Sequence, residues 1–65
     1  MKNIEILTLI ANRQNKTLND LVYEYLTNDE FKVMADILFA NINSRRIPNG
    51  LEPVEINFSV ISACN

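Results

Sequence analysis

Val54-Glu55-Ile56-Asn57-Phe58-Ser59-Val60 alternates apolar and polar side chains without a break, which is the two-residue period of a half-buried strand. Pro53 stops a helix from running into it. Upstream, Ile47-Pro48-Asn49-Gly50 has the form of a turn, with proline in its second place and glycine in its fourth. A strand carries an obligation, because each of its main-chain N–H and C=O groups needs a partner. Within the chain the candidates are Ser44–Ile47, joined through the turn, and the N-terminal run, should that be strand. Otherwise the partner is a second copy or another protein's sheet edge. The expected fold is therefore α+β: one domain over residues 1–65, with three helices, a turn and one C-terminal β-strand paired at a dimer interface.

The three helices are read from period and capping. Asn3 is placed to cap a helix over Ile4–Gln14, with Glu5 in its first turn and Ile6, Leu9, Ile10 and Arg13 on one face. The alternation Lys2-Asn3-Ile4-Glu5-Ile6 also admits a strand. Thr17 with Asp20 three residues on resembles a capping box, and Leu18, Leu21, Val22 and Tyr25 then follow at helical spacing, with Leu26 beside them. Thr27-Asn28-Asp29-Glu30 is a second such box. It opens a helix carrying Phe31, Met34, Ala35, Leu38 and Ile42 on one stripe. Val33, Ile37 and Phe39 lie off that stripe, so the helix is apolar over more of its circumference than one core contact uses.

Composition limits what such a chain does. Of 65 residues, 48% are hydrophobic and 22% charged, which is globular rather than disordered composition. A domain of this size buries only about 60% of its unfolded surface, so it commonly needs reinforcement. Cys64 is the one cysteine, which excludes an internal disulfide and points to a reducing cytoplasm; oligomerisation is left as the expected support. The chain has no histidine and a single glycine, which removes His-based catalysis and a glycine-rich phosphate cradle, and no zinc ligand set is present. Neither a signal peptide nor a membrane span is expected from the short apolar run at residues 4–10. Ten asparagines and eight isoleucines suggest AT-rich coding, as in mobile elements or phages.

The carboxylates have structural explanations: Glu52 and Glu55 as a solvated strand edge, Asp29 and Glu30 as helix-start charges, Asp36 as solvent-facing. Of Tyr23 and Tyr25, one is expected in the core and the other at the surface. No catalytic, cofactor or metal residue is assigned. The expected function is that of a small non-enzymatic regulator or inhibitor that binds another protein and itself. Its partner and dimer surface would be Val33, Ile37, Phe39, Val54, Ile56, Phe58 and Val60. Arg13, Lys16, Thr17, Arg45 and Arg46 are the candidate contacts to a nucleic acid or an acidic partner. Net charge is −2, whereas nucleic-acid binders usually carry a basic excess. A small subunit of a larger assembly fits the same surface.

Residues 10–26, Ile-Ala-Asn-Arg-Gln-Asn-Lys-Thr-Leu-Asn-Asp-Leu-Val-Tyr-Glu-Tyr-Leu, resemble the two-helix part of ribbon-helix-helix regulators. That resemblance implies a dimeric DNA-binding repressor or antitoxin, with Lys16 and Thr17 touching phosphate at the start of the second helix. The family's groove-reading strand precedes its first helix, where this chain has only Met1-Lys2-Asn3.

Overall fold

The computed structural model describes residues 1–64. Its element order is α1 (Asn3–Arg13), α2 (Leu18–Thr27), α3 (Asp29–Arg46), a 3₁₀ turn (Ile47–Asn49) and α4 (Phe58–Ala63). No strand occurs among the described residues, so the architecture is all-α and the expected α+β class is corrected.

The helix ends follow from local chemistry. Glu5 Oε1 accepts the Lys2 N–H at 2.9 Å and starts α1, so Lys2 rather than Asn3 is the cap. The helix stops in a Schellman motif: Asn15 adopts φ 58°, its N–H reaches Asn12 O at 3.1 Å, and the Lys16 N–H reaches Ala11 O at 3.0 Å. Asparagine tolerates this left-handed backbone better than most residues. The Thr17–Asp20 box opens α2 as its sequence indicates, with Asp20 N–H donating to Thr17 Oγ1 at 3.2 Å. The second box is replaced. Asn28 Oδ1 accepts the Phe31 N–H at 3.1 Å and caps α3, while the Thr27 hydroxyl donates back to Tyr23 O within α2. Gly50 at φ 74° closes the 3₁₀ turn by the same pattern that ended α1, with Leu51 N–H on Arg46 O at 3.1 Å.

The α2 helix packs against both α1 and α3. The core consists of Leu7, Ala11, Leu21, Val22, Ala35, Phe39, Val54 and Val60. On α1 the buried row is Asn3, Leu7 and Ala11, at i, i+4 and i+8, and Leu9 faces outward. The expected face of Ile6, Leu9, Ile10 and Arg13 is thus turned by part of a turn. On α3 the row is Ala35 and Phe39, with Phe31 and Ile42 partly buried beside them. Leu26, expected to widen the α2 stripe, is exposed.

The segment expected to be a strand is solved inside the protomer by two asparagines. Val54 donates its N–H to Asn43 Oδ1 at 2.7 Å, and its C=O accepts from Asn43 Nδ2 at 2.9 Å. Glu55 makes the same reciprocal pair with Asn3, at 2.9 and 2.8 Å. A carboxamide has the donor and acceptor of a peptide group, so each asparagine acts as one residue of a neighbouring strand. Successive residues of extended chain present their peptide groups to opposite sides. One asparagine from α3 and one from α1 therefore grip the segment from two sides. The expectation that a second chain must complete it is corrected.

Beyond Glu55 the alternating pattern gives way to a helix. Asn57 Oδ1 accepts the Val60 N–H at 3.1 Å and caps α4. Val60, Ile61 and Cys64 then meet the core at helical spacing.

Candidate functional site

The residues expected to form a partner surface divide into two groups. Phe39, Val54 and Val60 are buried in the protomer's own core, and Ile56 packs against that core. Phe39, Val54 and Val60 are corrected as interface residues, because a side chain enclosed at this level offers nothing to a partner. Val33 and Ile37 are exposed, and Phe58 stands outward at the first position of α4, 82% exposed.

Sequence reasoning missed the companions of Val33 and Ile37. Met34 and Leu38, expected in the core stripe, are 70% and 40% exposed. The α3 helix meets the core through the row containing Ala35 and Phe39, which lies opposite Val33 and Ile37 and beside Met34 and Leu38. With 3.6 residues per turn, Val33, Met34, Ile37 and Leu38 form one strip over two turns, from the side opposite the core at Val33 and Ile37 to the core's margin at Leu38. A contiguous apolar patch of this kind is a candidate interaction surface. No local signal separates Met34 and Leu38 from Ala35, because all three fall on one stripe in the sequence and the helices that α3 meets decide how far it is rotated.

Beside this patch, a cleft of about 310 Å³ runs between α1 and α3. Ile10 and Gln14 form one wall, Met34 and Leu38 the other, and Leu21, Phe31, Ala35 and Phe39 complete the lining. The cleft is nearly all hydrocarbon, and Gln14 is its one polar lining residue. It can hold an apolar side chain from outside, but it offers no general base, nucleophile or metal ligand.

Charge is distributed unevenly along α3. Asp29 and Glu30 occupy its first turn, where the helix dipole favours anions, and Arg45 and Arg46 its last, where it favours cations. Arg46 is committed internally, with Nε donating to Glu52 O at 2.9 Å and Nη2 to Met1 O at 2.8 Å. Arg45 is exposed, and among the described residues neither it nor Asp29 nor Glu30 makes an ion pair.

The other basic candidates are placed as follows. Lys16 pairs with Glu24 and sits 4.6 Å from the Phe31 ring centroid, a cation–π contact. Thr17 is occupied as the α2 cap. Arg13, in the last turn of α1, is exposed. These positions do not converge with Arg45 and Arg46 on one groove or cavity. Glu52, expected at a solvated edge, accepts the Asn3 N–H instead.

One polar cluster joins α2 to α3. The Tyr25 hydroxyl donates to Asp36 Oδ1 at 2.5 Å, and Lys32 Nζ meets Asp36 Oδ2 at 3.2 Å. The Tyr25 hydrogen bond holds the Asp36 carboxyl below its ordinary range; desolvation opposes it, and Lys32 adds to the lowering. Burial and the Asp36 contact push the Tyr25 phenol up. The cluster is exposed and serves to fasten the two helices.

Among the described residues, no group of three His, Cys, Asp or Glu could hold a metal ion, and no helix is long and apolar enough to cross a membrane. No protein-family model matches the chain, and no curated protein or solved structure matches it.

Proposed function

We propose that this chain is a small protein-binding regulator or inhibitor whose docking surface is the outward face of α3 together with the adjoining α1–α3 cleft. The observation that carries this reading is the exposure of Val33, Met34, Ile37 and Leu38 side by side. Full burial of such a side chain is worth about 1.5–3 kcal/mol, and these four, 40–70% exposed, forgo a part of it. A partner helix laid along this face would recover much of that and could set one side chain into the cleft. Non-enzymatic action is supported by the apolar lining of the cleft and by a sequence without histidine.

A photo-crosslinking amino acid placed at Met34, in cells producing the full chain, tests the reading. A discrete protein adduct is expected there and none at Asn12, an exposed position on α1. Absence of an adduct at Met34, or equal labelling at Asn12, would overturn it.

A further inference from the structure

We infer that the partner covering this face is a second copy of the chain, with its α3 antiparallel to the first. The inference rests on the reading of the face as a docking surface and adds the identity and direction of its occupant.

The direction follows from where the charges lie. The patch occupies the middle of α3, with Glu30 near one end and Arg45 near the other, about four turns apart. At 100° per residue, Glu30, Met34, Ile37, Leu38, Asn41 and Arg45 share one flank of the helix, beside the Ala35–Phe39 row. A two-fold axis passing between Ile37 and Leu38 brings Glu30 of each copy beside the second copy's Arg45. The same axis sets Ile37 against the second copy's Leu38. Acid meets base at both ends, Ile37 meets Leu38 at the centre with Met34 set against the second copy's Asn41, and the helix dipoles run oppositely.

A parallel arrangement would set Glu30 against Glu30 and Arg45 against Arg45, which is repulsive at both ends. A foreign helix of one charge sign would satisfy one end and oppose the other. A self-complementary surface of this kind is what a two-fold homodimer requires. It also leaves both groups without an internal ion-pair partner, as they are found among the described residues.

The test uses purified full-length chain in sedimentation equilibrium. Wild type is expected at twice the chain mass at tens of micromolar. Glu30→Arg alone and Arg45→Glu alone each turn two attractive pairs repulsive, so each is expected to weaken association about tenfold. An equimolar mixture of the two variants, in which every pair is again opposite in sign, is expected to restore it as a heterodimer. Circular dichroism of each variant confirms that the helices remain.

Failure of the mixture to associate better than either variant alone would overturn the antiparallel pairing. A monomeric wild type whose Met34 nonetheless crosslinks to a different protein would overturn the second copy and leave the docking surface intact. Loss of both readouts would remove the two readings together.

Discussion

Two stretches of this chain pose opposite problems, and the fold solves only one of them. Residues 54–55 carry main-chain polar groups without a helix or sheet, and Asn3 and Asn43 satisfy them with four hydrogen bonds of 2.7–2.9 Å. The face of α3 around Val33, Met34 and Ile37 carries exposed hydrocarbon that no described residue fully covers. The difference lies in what each problem demands. A peptide group is satisfied by one well-placed amide, which a single side chain supplies. An apolar face is satisfied only by area, and a chain of 65 residues has little to spare.

That contrast can be broken most sharply at Asn43. Asn43→Ala leaves the Val54 N–H and C=O without partners in a part-buried setting and is expected to cost about 3 kcal/mol, read as a lower urea midpoint. Asn43→Asp keeps the acceptor but turns a carboxylate oxygen toward Val54 O, so it should rescue little. Next in size is Val54→Ala. The residue is wholly buried, and loss of its methyl groups is expected to cost about 2 kcal/mol in the same measurement.

Met34→Gln belongs on the other side of the comparison. The side chain is largely exposed, so unfolding of the dilute monomer should move by less than about 0.5 kcal/mol while association at high concentration falls. A destabilisation like that of Val54→Ala would mean that the face is a working part of the protomer's core.

The smallest effect is expected at the Tyr25–Asp36–Lys32 cluster. Asp36 titrates below its ordinary value in the folded chain, so its contribution is complete above the usual carboxylate range. It fades as pH falls through the lowered pKa. Tyr25→Phe removes the leading cause. The Asp36 carboxyl signal, followed by NMR against pH, should titrate higher than in the wild type, with little change in stability at neutral pH because the pair is exposed.

Much of the helical frame is legible in the residue order. The Thr17–Asp20 box and the spacing of Leu21 and Val22 are local signals that packing did not need to alter. The extended run was misread because Val54, Ile56, Phe58 and Val60 satisfy a two-residue period that also contains a helix start. Asn57 followed by Val60, Ile61 and Cys64 is a cap and a helical row, and Val60 belongs to both patterns. The asparagine contacts were beyond sequence reading for a different reason. A side chain 52 positions away, at Asn3, acts as the strand neighbour, and no local period encodes that. On α3, Val33 and Ile37 were legible as surplus apolar positions, whereas the rotation that exposes Met34 and buries Phe39 is set by the helices α3 meets.

The amide grip also orders events in time. Since 52 positions separate Asn3 from Glu55, their contact closes a long loop, at an entropic cost that adjacent helices do not bear. The α1–α2–α3 contacts are near-neighbour along the chain and can assemble first, with residues 51–64 docking last. Weakening the grip should therefore hasten unfolding far more than it slows refolding, so the native lifetime of this small chain is governed by how long two carboxamides hold one tail in place.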